Sequence, residues 1–324
     1  MTTRKLRIEF VLASLLAIPG IAAADGLPRN WPMTPAELEV RFRQQDFKIL
    51  EVKGAGGGVT GASKLKIEYP DGKVLKVKWK AVPAKSADGW NNSPRKELAA
   101  YEVQRWLVDE DDFIVPTLAP HCLSMEEYKP ISRDAKPSLT KTSCELGIVA
   151  VWLDDVTAPK KFFDAKRFAR DPLYARYMAD FNLLTYLVDH RDGRQGNLLL
   201  STDASDPRVY AVDNGIAFGP LPWNFLVPNW NKIRVPWLRR ESIDRLRKVD
   251  KAKLDALGVV AELETDSNGM LHVVAPGPNM DDDIGVRRRD NRVQFGLTED
   301  EIEDVQKRIK TLLKNVDSGK QPVR

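Results

Sequence analysis

A chain of 324 residues that is 43% apolar and 30% charged can build both a packed core and a wetted surface, which excludes a disordered chain and a polytopic membrane protein. Its formal charge of +4 falls to +2 once Arg4, Lys5, Arg7 and Glu9 are set aside, too weak a basic surplus for a nucleic-acid binder. With three histidines and two cysteines, a zinc or iron centre has few candidate ligands.

In chain order, residues 1–24 read as a secretory signal: basic Arg4, Lys5 and Arg7, an apolar run from Phe10 to Ile21 broken only by Ser14, Pro19 and Gly20, and Ala22-Ala23-Ala24 before Asp25. The run is short for a bilayer span, and an uncleaved anchor is the alternative. No later stretch is long and apolar enough to span a membrane. The mature chain is therefore expected to be secreted or periplasmic, or to lie in a secretory-pathway lumen, with no stable membrane span after signal cleavage. An even pair of cysteines in an oxidising compartment predicts one disulfide, Cys122 to Cys144, with two buried thiols as the alternative.

From Asp25 to about Val40 the chain is Pro-rich and then helical. Phe47 to Val52 reads as a strand, followed by Gly54-Ala55-Gly56-Gly57-Gly58-Val59-Thr60-Gly61. Gly56, Gly58 and Gly61 fit G-x-G-x-x-G, yet a strand, Lys64 to Tyr69, follows in place of a helix. That excludes a dinucleotide fingerprint, which needs a helix N-terminus at the pyrophosphate. It suits a flap that covers the phosphates of ATP, a plain hairpin being the alternative. Pro70-Asp71-Gly72 is a turn, and Lys73 to Val82 returns as a strand with Lys76, Lys78 and Lys80 on one face and Val77, Trp79 and Ala81 on the other.

Ser93-Pro94 opens a helix running to Leu107, with Ala99, Val103 and Trp106 as its apolar stripe and Glu97, or alternatively Glu102, able to turn toward the lysine strand. Asp109 to Asp112 is an acidic loop, and Phe113 to Leu118 a predicted strand. His121 to Thr142 reads as a surface insertion with the disulfide at its base. Gly147 to Leu153 is a continuously apolar, buried strand and the last of a first lobe, so the connection to a second lobe falls near Asp154 and Asp155.

Asp171-Pro172 starts a core helix with Leu173, Tyr177, Phe181, Leu184 and Val188 at helical spacing, and it runs directly into His190-Arg191-Asp192. Asn197 follows five residues after Asp192. Then come an apolar run (Leu198 to Leu200), a polar turn, a second run (Val209 to Val212) and Asp213-Asn214-Gly215. Asn197 and Asp213 are equidistant from Ser205, so a hairpin with its tip there sets the two side chains level, where one metal ion bridges them. A carboxylate to take a hydroxyl proton, and an Asn and an Asp to hold Mg²⁺ against phosphates, are what phosphoryl transfer needs.

Further on, Trp223, Trp230 and Trp237 are evenly spaced among Pro222, Pro228 and Pro236, read as packing over the second lobe in preference to a platform for a sugar or peptide. Arg287-Arg288-Arg289 reads as a solvated loop, with an anion patch as the alternative. Thr298 and Glu301 form a capping box for a helix using Ile302, Val305, Ile309 and Leu312, and the tail beyond Lys314 reads as frayed. No G-x-S-x-G elbow accompanies the histidines, which argues against a Ser-His-Asp hydrolase.

The order of Gly-rich hairpin, strand lysine, helix glutamate, H-R-D-x-x-x-x-N and D-x-G resembles the protein-kinase-like superfamily. Lys96 to Tyr101 and Val212 to Gly219 are most similar to its atypical branch, the phosphatidylinositol 3- and 4-kinase-like proteins and the secreted Golgi kinases. The likeness runs from Phe47 to Gly219; no A-P-E follows the metal motif. It implies an α+β, two-lobed fold with a β-rich first lobe (25–153), a mainly helical second lobe (154–316) and a tail (317–324). It also implies Asp192 as base, Asn197 and Asp213 as ligands of Mg²⁺ or Mn²⁺, and Lys80 (Lys78 in reserve) on the phosphates. Glu97 would hold that lysine, and Gly56, Gly57, Gly58 and Gly61 would lie over a nucleoside triphosphate. The expected activity is a secreted phosphotransferase moving a γ-phosphate to a hydroxyl of a protein, glycan or lipid. Because ATP is scarce outside the cytosol, a catalytically inactive binding module is the first alternative, and transfer of AMP on the same fold the second.

Overall fold

A computed structural model describes residues 30–54, 62–82, 93–161, 163–193, 195–219 and 230–324. The first lobe begins with α1 (Pro35–Gln44), whose start is fixed by Pro35 and by a reciprocal capping box between Thr34 and Glu37. Its Leu38 and Phe42 are fully buried. The remaining elements are β1 (Lys48–Gly54), β2 (Ser63–Glu68), β3 (Val74–Ala81), α2 (Pro94–Gln104), β4 (Leu118–Ser124), a single turn α3 (Met125–Tyr128) and β5 (Cys144–Val151). The five strands form one antiparallel sheet in the order β1-β2-β3-β5-β4.

Alternation decides which face is core. Leu65, Ile67, Leu75, Val77 and Trp79 are buried on one side, while Lys64, Lys66, Lys76 and Lys78 lie on the other. The inner strand β5 is buried at every position, its apolar run from Leu146 to Val151 and the charged Glu145 alike. Gly147 is needed there because a Cβ at this position would lie 2.4 Å from the Trp79 ring. Cys122 and Cys144 are joined by a disulfide across β4 and β5, Cα to Cα 5.6 Å.

Two first-lobe expectations change. The strand predicted over 113–118 begins only at Leu118. The preceding stretch is buried but irregular, because the Gln104 side chain takes the hydrogen bonds a neighbouring strand would supply, accepting from Ile114 N (2.8 Å) and Val115 N (2.7 Å). The insertion expected from His121 is correspondingly shorter: His121 to Ser124 belong to β4, and the buried His121 ring stacks on Phe47 at 4.7 Å.

The second lobe contains β6 (Val156–Thr157), α4 (Ala165–Arg170), α5 (Pro172–Leu187), β7 (Leu198–Ser201), β8 (Val209–Ala211), α6 (Arg240–Leu246), α7 (Lys251–Ala256), β9 (Ala261–Thr265), β10 (Leu271–Val274), β11 (Val286–Arg289), β12 (Arg292–Phe295) and α8 (Glu299–Asp317). Asp171 caps α5 through Tyr174 N, and Pro172 occupies its first turn. Tyr177, Phe181, Leu184 and Val188 are buried as predicted, but Leu173 is 43% exposed and Tyr174 fills the core in its place. Thr298 and Glu301 form the expected capping box on α8.

A second antiparallel sheet, β10-β9-β12-β11, was not foreseen, and its β10 packs back on β4 and α1 of the first lobe. The triple arginine is part of it, not a solvated loop. Arg287 is 1% exposed and donates to the carbonyls of Asp281, Gly258 and Leu297. Nor is the tail frayed: Val323 bridges to Leu238, and Arg324 N donates to Leu238 O at 3.0 Å. Trp230 packs edge-on to Phe181 and Trp237 against Phe168, as the packing reading required; Trp223 lies outside the described residues.

Candidate active site

The lysine row of β3 ends in a buried charge network. Lys80 is 3% exposed, and its ammonium donates to Glu97 Oε1 of α2 at 2.5 Å and to Asp213 Oδ1 at 3.2 Å. Burial by itself would push the Lys80 ammonium down, but the attraction and hydrogen bonds of Glu97 and Asp213 outweigh it and hold the group above its ordinary value. Glu97, and not Glu102, is the partner. Lys78, two residues earlier on the same face, reaches to 3.6 Å of the same Asp213 oxygen, so both lysines converge on one carboxylate.

Helix α2 is held in this orientation at its first turn. Ser93 occupies the cap position and Pro94 the first helical one, but the Ser93 hydroxyl makes no capping bond; its N–H donates to Gly215 O instead, at 3.1 Å. Arg95 and Lys96 turn away from the cleft to Glu301 of α8, at 2.5 and 3.3 Å, and Lys96 also donates to Phe218 O. Glu97, the next residue, is left facing Lys80.

On the second lobe, α5 ends at Leu187 and the chain turns through Asp189 in a left-handed conformation (φ 48°). His190 is buried, with Asp189, Asp192 and Asp213 around it; burial pushes its ring down against the pull of those three carboxylates. Asp192 is 2% exposed, and its backbone carbonyl accepts from Asn197 Nδ2 at 2.9 Å. This bond commits the amide nitrogen and leaves Oδ1 as the acceptor of a side chain that lines the cleft.

The hairpin that follows is real, but its register is one residue from the predicted one. Leu198 pairs with Ala211 and Leu200 with Val209, and Val212 N donates to Asn197 O, so Asn197 stands opposite Val212 and not Asp213. Simple continuation of the strand would turn the Asp213 side chain to the other face. Asp213 instead adopts a left-handed backbone (φ 60°, ψ 58°) that breaks the alternation, and both side chains line the same cleft.

That cleft has a volume of 720 Å³. Lys78, Ala150 and Trp152 come from the first sheet, Leu199 and Ala211 from the hairpin, and Asp154 and Asp155 from the connection between lobes. Asn30 fixes the connection, donating to Asp154 O and Asp155 O while accepting from Tyr210 OH. Glu97, Asn197 and Asp213 line the cleft, and Lys80 meets it through Glu97 and Asp213; Asp192 lies beneath the lining and is not part of it. Gly56, Gly57, Gly58 and Gly61 lie outside the described residues, though Gly54 and Ala62 on either side border the cleft. Trp152, Asp154 and Asp155 were not singled out as lining residues, because a buried strand and a linker carry no motif.

No family model matches the chain, and no curated protein matches it in sequence. Among solved structures it is similar to Fam20 from hydra, determined with a sugar, at 13% identity and a TM-score of 0.50, with 89% of this chain and 95% of that one covered. A likeness at this identity establishes the fold: an α+β, two-lobed, protein-kinase-like architecture.

The donor set can be tested against a divalent cation. Asn197 offers a neutral amide oxygen and Asp213 a carboxylate, both hard oxygen donors on one cleft wall. Two protein ligands, with the remaining positions left to phosphate oxygens and water, suit Mg²⁺ or Mn²⁺. Among the described residues no group of three or more His, Cys, Asp or Glu stands ready to enclose an ion without such help.

Proposed function

We propose that this chain is an exported phosphotransferase that moves the terminal phosphoryl group of a nucleoside triphosphate to a hydroxyl acceptor. The observation that carries the reading is the single buried network in which Lys80 of the first lobe meets both Glu97 and Asp213 at the cleft wall. Lys80 and Lys78 hold phosphate oxygens, and Glu97 keeps the Lys80 ammonium charged and aimed. Asn197 and Asp213 hold Mg²⁺ or Mn²⁺, which when bound supplies positive charge to the phosphates as charge shifts between their oxygens. The acceptor oxygen attacks the terminal phosphorus, the bridging P–O bond breaks with its electron pair leaving on the nucleoside diphosphate, and the acceptor proton passes to Asp192. A sugar hydroxyl is the first acceptor class to test, since the Fam20 structure carries a sugar. Residues 1–24 are the proposed signal, 25–153 and 154–316 the two lobes.

The burial of Asp192 beneath the cleft lining favours one second reading, a kinase-like binding module without turnover. Metal-dependent nucleotide binding, followed by thermal shift with and without Mg²⁺, and release of nucleoside diphosphate together separate the two. Asp213→Ala is expected to abolish the Mg²⁺-dependent shift, and Asp192→Asn to abolish turnover while leaving affinity within a few-fold of wild type. No metal-dependent nucleotide binding refutes the phosphotransferase and is what the module predicts; release of nucleoside diphosphate that depends on Asp192 refutes the module.

A further inference from the structure

The lining of the cleft is divided by chemistry. At one end stand Lys78, Asn197 and Asp213, with Lys80 behind them; toward the connection the walls turn apolar, with Trp152 on the first-lobe side and Val156 and Leu199 on the other. Lys78 is the single lysine among the described lining residues, so only its end attracts phosphate. Strand register sets the distance between the two ends. Lys80 pairs with Ile148 and Lys78 with Ala150, and Trp152 N donates to Lys76 O at 3.0 Å, so the pairing runs one step beyond β5. Trp152 therefore falls on the same face of the sheet as Ala150 and Lys78, and four residues beyond Ile148, about 13 Å along the strand from the level of Lys80.

Trp152 is also the one aromatic side chain among the described lining residues. It stays half-buried while its neighbours Val151 and Leu153 are buried. The Lys64 ammonium sits 3.9 Å from the centre of the ring, yet Lys64 is not part of the lining, so it backs the side of the indole turned away from the cleft. The attraction of an ammonium for a π face holds the plane of the ring. The remaining side of the indole is presented to the cleft, with the aliphatic Leu199 of the hairpin on the other wall. An indole of fixed plane facing an aliphatic wall makes a slot for a flat ring, and a purine covers more of the indole than a pyrimidine does.

We propose that Trp152 is the platform on which the nucleobase of the phosphoryl donor stacks, and that it selects purine over pyrimidine nucleoside triphosphates. The inference deepens the phosphotransferase reading and rests on it. With the base on Trp152, the ribose and phosphates run back along the level of β3 toward Lys78, Lys80 and Asp213. The lysines and the metal ion hold whatever carries phosphates, and the indole recognises what those phosphates are attached to. A bare triphosphate gains nothing from Trp152.

The test is calorimetric binding of ATP, CTP and inorganic tripolyphosphate to the mature chain in Mg²⁺, for wild type, Trp152→Leu and Trp152→Phe. Wild type is expected to bind ATP about tenfold more tightly than CTP, and Trp152→Leu to weaken ATP about tenfold, a 1.4 kcal/mol change, while tripolyphosphate stays within about twofold. Trp152→Phe keeps an aromatic face and is expected to recover most of the lost ATP affinity. Should Trp152→Leu fail to fold, tryptophan emission decides: ATP is expected to quench it in wild type and tripolyphosphate not to, and the quenching is expected to vanish in Trp152→Phe. CTP bound as tightly as ATP, equal losses for ATP and tripolyphosphate in Trp152→Leu, or quenching that persists undiminished in Trp152→Phe overturns the platform and leaves the phosphotransferase reading standing. If wild type binds no nucleotide in a metal-dependent way, both fall.

Discussion

The pair Lys80–Glu97 is open to a quantitative test. At 2.5 Å, two unit charges attract by about 7 kcal/mol at an effective dielectric of about 20. Desolvating two side chains that are 4% and 6% exposed offsets most of this, so the pair as a whole contributes little. Removing one partner is different. Glu97→Gln keeps the shape but strips Lys80 of its closest counter-charge, and Lys80→Met leaves Glu97 buried and unpaired; each is expected to cost about 3–5 kcal/mol. Lys80→Met/Glu97→Gln removes both charges and is expected to cost less than the sum by about 2–4 kcal/mol. Urea unfolding at neutral pH of the four proteins closes the cycle. Additivity within about 0.5 kcal/mol would mean that the two groups do not sense each other, and the account of how the cleft lysine is held would be wrong.

Arg287→Met should cost about 3–5 kcal/mol in the same assay, because the carbonyls of Asp281, Gly258 and Leu297 lose a donor inside the second sheet. Replacing Cys122 and Cys144 together by Ala is expected to lower stability by about 2–4 kcal/mol without altering nucleotide affinity, since the bridge lies away from the cleft lining. Burial raises the Asp180 carboxyl to about 6, against the hydrogen bonds of Ser242 and Arg239. Between its ordinary 3.8 and that value the folded chain keeps a proton that the unfolded chain has lost. Asp180 therefore lends stability at the acid end and withdraws it as pH rises across the window, by about 3 kcal/mol in all. Asp180→Asn should remove that component from the pH dependence of the unfolding midpoint; an unchanged slope between pH 4 and about 6 would disprove the assignment.

Features encoded locally were legible in the sequence. The capping box at Thr298 and Glu301, Asp171-Pro172 ahead of a core helix, and the period-two alternation around Trp79 each depend on residues a few positions apart. The meeting of Lys80 with Glu97 and Asp213, 17 and 133 positions away, was expected only from the resemblance to the kinase-like superfamily and not from any local pattern. What failed needed information from distant parts of the chain. The hairpin register depends on where the turn closes, and symmetry about Ser205 misjudged it by one residue. Gln104 substitutes a side chain for a strand partner, which no propensity anticipates. Strands β9 to β12 are four or five residues long and carry charges, buried Glu262 and Arg287 among them, that are satisfied only by one another's neighbours and by backbone. The C-terminal residues gained order from Leu238 and Arg240, partners more than 80 positions away.

The attachment of α2 to α8 bears on how the molecule can be controlled. Swinging Glu97 out of reach of Lys80 would require the same helix to give up the Arg95 and Lys96 contacts with Glu301, three nearly dehydrated charges whose separation costs several kcal/mol. Helix α2 is thus clamped at its back, and Glu97 stays beside Lys80 for as long as Glu301 and the Phe218 carbonyl hold the first turn.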